Sequence, residues 1–177
     1  MTQKTLAAKQ LLNIRLEHFN MWTTNEDYHA NIVKFTKLTP WAHEPTQGSV
    51  EAAGWDLYAD AESHERIVLM PGEVKKISTG IAIALPKNTF GAIYARSGLA
   101  TKKGLAPANK VGVVDSDYRG PVIVALKNES TEVQTIEHGE RIAQLVVQPY
   151  IPVVFAEVEN IGTTARGEGG FGSTGTK

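Results

Sequence analysis

VKKISTGIAIAL, residues 74–85, is the stretch that decides the fold class of this chain. It is rich in β-branched residues, and its apolar side chains alternate with the period of two that a half-buried β-strand requires. A turn signal at 86–89 follows, and the apolar run at 90–94 then predicts a second strand. The alternating apolar positions of the first stretch are Ile77, Ile81, Ile83 and Leu85.

Short apolar runs continue down the chain, separated by turn signals at 71–72, 117–120, 128–130 and 138–139. Because no helical pattern interrupts the series, it predicts an all-β protein, either a sandwich or a barrel. The further predicted strands are 110–114, 121–126, 141–147 and 153–158.

The N-terminal region has a different pattern. Residues 5–22 predict an amphipathic helix, and the polar residues after it predict a linker, so we expect an extension at 1–31. Such a helix most often packs on its own domain or on a sister subunit, and a dedicated partner is the alternative. The apolar positions that recur at helical spacing are Ala8, Leu12, Leu16 and Phe19.

Composition excludes several classes of protein. A chain of 177 residues with 42% hydrophobic residues predicts one globular domain. A formal net charge of −1 argues against a general nucleic-acid binder. The absence of cysteine excludes disulfides, thiolate catalysis and zinc–sulfur sites. The five histidines have no ligand spacing, so any metal is expected to be a hard cation held by oxygen atoms.

Targeting signals are also missing from the pattern. Charged residues such as Lys4, Lys9 and Arg15 interrupt the early apolar stretches, so no secretory signal is predicted. No apolar run reaches the length of a membrane span. We therefore expect an intracellular, cytoplasmic protein (nuclear if the source is a eukaryote or its virus) with no membrane partner.

The C-terminal segment RGEGGFGSTGTK, residues 166–177, contains five glycines, one arginine and one aromatic ring. Glycines let backbone N–H groups converge on phosphate oxygens, Arg166 offers a bidentate charge, and Phe171 offers a flat face to a base. A solvated C-terminus is the more common structure for a glycine-rich tail. The spacing Gly167-x-Gly169-x-x-Gly172 does not indicate a Rossmann fold, because no helix follows it.

Five segments stand in order along the chain, and we number them as motifs 1 to 5. They are AAGWDLYA (52–59), ARSGLA (95–100), GVVDSDYRG (112–120), GERIAQLVV (139–147) and RGEGGFGSTG (166–175). In motif 2, Arg96, the Ser97 hydroxyl and the Gly98 N–H suit a phosphate, although a surface turn is equally common. In motif 3, Asp115 and Asp117 project to the same side if the strand continues between them.

Together, the five motifs resemble those of the trimeric dUTPase family, from about residue 32 to the C-terminus. The resemblance implies a β jelly-roll core at 32–164, a glycine-rich arm at 165–177 that closes over the active site, and a homotrimer with active sites shared between chains. It agrees with the independent strand prediction and leaves the N-terminal helix, with its possible partner, unexplained.

The resemblance also implies Mg²⁺-assisted hydrolysis of dUTP to dUMP and pyrophosphate, which limits uracil in DNA and supplies dUMP for thymidylate synthesis. In that mechanism Asp115 is the base that activates the attacking water, and Asp56 holds the metal through water. Tyr118 lies under the deoxyribose and excludes ribonucleotides, while Asn109 bonds uracil. The other implied substrate-binding residues are Arg96, Ser97, Gly98, Gly112, Gln144, Arg166, Gly170, Phe171, Gly172 and Ser173.

Two other functions compete with this interpretation. dCTP deaminase is an enzyme of the same superfold, but it is not organised around motifs 3 and 5. A binding or regulatory protein could keep the fold and use the N-terminal helix, although the complete set of Arg96, Asp115, Tyr118 and Arg166 argues for catalysis.

Overall fold

The computed structural model describes residues 32–61 and 65–170, which are mostly β-structure, as predicted. No helix within them has the length and apolar character that crossing a membrane requires. The strands are β1 (Lys34–Lys37), β2 (Thr46–Gln47), β3 (Trp55–Tyr58), β4 (Ile67–Leu69), β5 (Val74–Ala84), β6 (Thr89–Tyr94), β7 (Leu105–Pro107), β8 (Gly112–Asp115), β9 (Pro121–Asn128), β10 (Gln134–Ile136) and β11 (Arg141–Pro149).

Antiparallel pairing builds two larger sheets and one small one. The first has the strand order β1-β5-β9-β7, the second has the order β2-β3-β11-β6-β8, and β10 pairs with β4. Alternate residues of β9 and most residues in the second half of β5 are buried, and they pack in one core with residues of the second sheet. The largest contributors from both sheets include Ile77, Ile81, Val122, Val124, Leu126, Leu57, Ile93 and Leu145.

β5 follows the predicted alternation, with Ile77, Thr79 and Ile81 all buried. Gly80 between them has a φ of +67°, and its Cα lies so close to its neighbours that an added Cβ would be 2.7 Å from the Cβ of Ala42. Only glycine satisfies both conditions. The predicted turn after β5 also forms, with Asn88 at a φ of 61°.

One helix interrupts the strands, so the expectation of a series without helices is wrong at that point. Helix α1 spans Ser97–Lys103 and ends at Gly104, whose φ of 64° is the left-handed conformation that closes many helices. Its sequence is SGLATKK, and Leu99 is its buried residue. With so few apolar residues, α1 has no amphipathic period that sequence could reveal.

The predicted strand at 153–158 is also wrong, because residues 151–170 form no strand. The segment is apolar yet exposed, with Val154 at 94% and Phe155 at 97% of full accessibility. A β-branched sequence becomes a strand only where it finds a partner strand, and residues 32–61 and 65–170 supply none for this segment. The predicted N-terminal helix lies outside the described residues.

Candidate active site

Motifs 1, 2 and 4 lie side by side at one end of the second sheet. Gln144 of β11 pairs with Asp56 of β3 on one side and with Tyr94 of β6 on the other. Leu145 points into the core, so Gln144 and its paired neighbours share the outer face. Arg96 follows β6 directly and reaches the same place.

Asp56 is the centre of an ion-pair network. Its side chain is buried, and its Oδ1 accepts a hydrogen bond from Arg96 Nε at 2.7 Å. Its Oδ2 accepts a second from Arg141 Nη1 at 3.1 Å. Two guanidinium groups therefore compensate the desolvation of one carboxylate, and the three side chains hold one another in place.

Gln144 links motif 4 to motifs 1 and 2 by contact as well as by register. Its Nε2 donates a hydrogen bond to the carbonyl oxygen of Ala95 at 2.9 Å. Its Oε1 would be 2.6 Å from a Cβ added at Gly54. The glycine of motif 1 therefore leaves room for the amide of Gln144 in the position that bonds Ala95.

Ser97 and Gly98 begin helix α1 rather than the alternative surface turn, and Arg96 is the extended N-cap residue at a φ of −84°. Both residues are exposed, and a Cβ at Gly98 would meet nothing within 4 Å. The first N–H groups of a helix have no partner inside it, so donors are available beside Arg96.

Motif 3 occupies β8 and the turn after it. Val114 is buried and the next residue, Asp115, is exposed, so its carboxylate lies on the outer face. The strand ends at Asp115, where its carbonyl oxygen accepts a hydrogen bond from the N–H of Tyr118 at 3.1 Å. Because the strand does not continue to Asp117, the two carboxylates do not form the strand pair that would project to one side.

The ring of Tyr118 lies against Gly120. A Cβ added at Gly120 would be 2.6 Å from the Cζ atom of the ring, and the tyrosine hydroxyl donates to the Pro121 carbonyl at 3.1 Å. These contacts hold the half-exposed ring over the turn in one orientation.

A cavity of about 270 Å³ opens beside motif 3 and includes two predicted substrate-binding residues, Asn109 and Gly112. A Cβ at Gly112 would be 3.2 Å from the Cβ of Ile93 and 3.4 Å from Nδ2 of Asn109, so the glycine leaves room for the amide. An apolar pocket with a few polar groups is the usual form of a small-molecule site. Its lining is Lys76, Ile93, Pro107, Asn109, Gly112, Ile123, Val124 and Ala125.

Motif 5 is only partly described. Arg166 is exposed, and its Nε donates to the carbonyl oxygen of Gly169 at 2.8 Å, which makes a local turn. Gly170 is exposed as well. The predicted contacts of Phe171, Gly172 and Ser173 lie outside the described residues and remain predictions.

Within one chain, motif 3 lies far from motifs 1, 2 and 4. Asp115 pairs with Phe90, whereas Asp56 is level with Tyr94 at the other end of β6. Four residues of strand cover about 13 Å, and three strand spacings lie between β8 and β3, so the two carboxylates are roughly 20 Å apart. Motif 3 of one chain is therefore well separated from motifs 1, 2 and 4 of the same chain.

The donor set fits one type of metal ion. Within 32–61 and 65–170 no cluster of three or more His, Asp or Glu side chains could hold a metal. Mg²⁺ is often bound by one or two carboxylates, substrate phosphates and water rather than by a protein cage. Asp56 meets that requirement, since each of its oxygens has a second lone pair beyond its arginine contact.

Sequence reasoning missed two contributors. Arg141 stands out in motif 4, but only the structure shows that it contacts Asp56. Ile123 lines the cavity and is 45% exposed, although its strand otherwise appears as an ordinary apolar run. The outward position of Ile123 in the alternation of β9 was the available signal.

Comparison with known proteins agrees with this geometry. The family model described as dUTPase matches residues 41–175. The deoxyuridine 5'-triphosphate nucleotidohydrolase of Desulfitobacterium hafniense is 47% identical over 132 residues, which cover 74% of this chain and 86% of that protein. The enzyme of the same name from Nautilia profundicola is 44% identical over 143 residues, which cover 81% of this chain and 98% of that protein.

Solved structures give the same result. The dUTPase of Staphylococcus bacteriophage 80alpha, solved with dUpNHpp, has a TM-score of 0.70 at 27% identity and covers 82% of this chain and 99% of its own. A dUTPase from phage phi11 of S. aureus, described with a structural Mg(II) ion, has a TM-score of 0.67 at 23% identity. It covers 75% of this chain and 100% of its own, and it shows a shared fold.

Proposed function

Because this chain belongs to the dUTPase family, it hydrolyses dUTP to dUMP and pyrophosphate, and we propose that motifs 1 to 5 form its active site. The observation that carries the proposal is the family match over 41–175, which includes every motif. The relatives carry the name of a dUTP-hydrolysing enzyme, which favours this function over dCTP deamination.

Asp115 is the general base in this proposal. Its position at the end of β8 fixes the carboxylate on a paired strand, while its exposure leaves both oxygens accessible to water. The carboxylate accepts a proton from the water as the oxygen attacks the α-phosphorus, and pyrophosphate leaves from the opposite side. The contribution of the carboxylate is its fixed direction toward the water, since a general base must lie within hydrogen-bond reach of the proton that it accepts.

The cavity beside motif 3 takes the uracil ring. The Asn109 amide has both a donor and an acceptor, which complement the N3–H and a carbonyl oxygen of uracil. Tyr118 lies at the adjoining turn, so a 2'-hydroxyl would collide with its ring. These two contacts select a deoxyuridine.

The phosphate chain lies against the outer face near Gln144 and Arg96. Arg96 provides charge, the beginning of α1 provides N–H groups from Ser97 and Gly98, and Asp56 is the anchor for metal-bound water. Mg²⁺, when bound, neutralises part of the triphosphate charge. Phosphoryl transfer depends mainly on positioning and charge stabilisation, which these groups supply.

The finer architecture also belongs to the proposal. The sheets form a jelly roll, and three chains assemble with motif 3 of one chain facing motifs 1, 2 and 4 of another. The separation of Asp115 and Asp56 within one chain supports this arrangement. The exposed apolar residues of 151–161 have the composition of a segment that packs on a neighbouring chain.

The arm at 165–177 then closes over the bound nucleotide, with Phe171 on uracil and Arg166 and Ser173 at the γ-phosphate. Partner binding by the extension at 1–31 and a cytoplasmic location remain predictions.

The test of this function is pyrophosphate release from dUTP, compared with dTTP, dCTP and UTP, by the parent and by Asp115→Asn. The parent should prefer dUTP. Asp115→Asn should still bind dUpNHpp and lose about 10²–10⁴-fold in kcat, the usual contribution of a general base. A variant that keeps more than about a tenth of parental kcat excludes Asp115 as that base.

A further inference from the structure

Arg141 is the cation in the active-site network that the proposed mechanism does not use. Its Nη1 donates to Oδ2 of Asp56 at 3.1 Å, and its side chain is 49% exposed. The other oxygen of the same carboxylate accepts from Arg96. Arg141 is therefore a second arginine on a carboxylate that already pairs with Arg96.

The contact between Asp56 and Arg96 is made through one particular atom. Asp56 binds Arg96 at Nε, 2.7 Å away, and the two terminal amino groups of Arg96 donate to no residue within 32–61 or 65–170. A guanidinium held at Nε keeps its terminal groups available for phosphate oxygens. Asp56 therefore orients Arg96 without occupying the groups that bind phosphate.

A local irregularity in β11 places Arg141 on the same carboxylate. The register against β3 shifts between Arg141 and Ala143, so Gln144 pairs with Asp56, and Arg141 pairs with Tyr58. In an unbroken strand Arg141 would share the core face with Ala143. The extra residue of a bulge reverses that alternation and turns Arg141 to the outer face, a common use of bulges near active sites.

We propose that Arg141 is a positioning residue, which acts through Asp56 to hold Arg96 in the orientation that receives the phosphate chain. The inference rests on the proposed assignment of Arg96 to the phosphates. Without Arg141, Oδ2 loses its donor and the carboxylate rotates about its χ angles, so the aim of Arg96 is lost. The effect should be specific for a triphosphate, because uracil and sugar contacts lie elsewhere.

A double-mutant cycle tests this coupling. Binding of dUpNHpp and of dUMP is measured by calorimetry for the parent, Arg141→Gln, Arg96→Gln and the double variant. Arg141→Gln should weaken dUpNHpp binding about tenfold and dUMP binding much less. It should have little further effect on dUpNHpp binding when Arg96 is already replaced, because the losses of binding free energy at two coupled residues do not add. Arg141→Lys, which keeps a donor for Oδ2, should recover part of the loss.

The matched control is Arg66→Gln, which removes an arginine from an exposed pair with Glu137 and should leave both affinities unchanged. Thermal unfolding of every variant shows that the comparison is between folded proteins, and Arg141→Met, which keeps the aliphatic stem but has no donor for Oδ2, serves for the cycle if Arg141→Gln does not fold. Additive losses, or no loss of dUpNHpp binding, would overturn the role of Arg141. A parent that releases no pyrophosphate from dUTP would overturn the function instead.

Discussion

Gly120→Ala should change which sugar the enzyme accepts without unfolding the protein. The new Cβ would stand 2.6 Å from Cζ of Tyr118, and the ring is the half-exposed end of a side chain, so the ring moves rather than the backbone. An ordinary carbon contact is about 3.5–4.0 Å, so the displacement is about 1 Å. That displacement also breaks the hydrogen bond from Tyr118 to Pro121, which is 3.1 Å long.

The two consequences differ in size. Loss of one exposed hydrogen bond costs about 1 kcal/mol or less, and the stiffer unfolded chain of an alanine variant offsets part of it. A misplacement of about 1 Å at a reacting complex can cost on the order of 10²-fold in rate. We therefore expect the preference for dUTP over UTP to fall by at least about tenfold, while the melting temperature changes by only a few degrees.

The assay is kcat/KM for dUTP and UTP on the same preparation, with melting temperatures measured in parallel. Gly48→Ala is the matched control, because a Cβ there meets nothing within 4 Å and the residue lies outside motif 3 and the turn that holds Tyr118. An unchanged dUTP/UTP ratio in Gly120→Ala would refute the assignment of sugar selection to the Tyr118 ring.

Two further predictions concern stability. Gly80→Ala should lower the free energy of unfolding by about 2–4 kcal/mol in a denaturant titration, because Gly80 has a φ of +67° and the added methyl would lie only 2.7 Å from the Cβ of Ala42. Gly72→Ala has a φ of +77° but open space around the new methyl, so it should lose only the backbone contribution of about 1 kcal/mol. Equal losses in the two variants would refute the packing contribution at Gly80. The Met70 N–H and then Lys75 hold the pKa of Glu73 below its usual value, so its stabilisation is present at neutral pH and disappears as the pH falls through that lowered pKa. Glu73→Gln should therefore be less stable than the parent at neutral pH and equal to it in acid, and a difference that persists in acid would contradict this.

Strands with a partner in the same chain were predictable from sequence. β9 alternates against the core, β5 buries Ile77, Thr79 and Ile81 in the predicted register, and β6 and β11 carry apolar runs with buried residues. Turns that contain glycine, proline or asparagine separate these strands. Local pattern and tertiary pairing agree in these elements, so either one identifies them.

Where pattern and pairing disagree, the sequence prediction failed. The segment 153–158 has strand composition but pairs with no strand in the described part of the chain, and α1 is a helix whose seven residues carry one buried side chain. The Asp56–Arg141 contact depends on a register shift, which no periodicity reveals because one extra residue changes the face of everything before it. The motif residues themselves could be named from the sequence. Only the structure shows that they lie in two distant parts of the sheet.

The central claim is that Asp115 and the cluster of Asp56 and Arg96 serve one site from different chains. Asp115→Asn and Arg96→Ala are purified separately, and each should be nearly inactive alone. After the two are unfolded together in equal amounts and refolded, random mixing in a ring should give roughly a quarter of the parental rate of pyrophosphate release, because those sites take both intact groups from different chains. A mixture no more active than the average of the two variants would contradict the shared site.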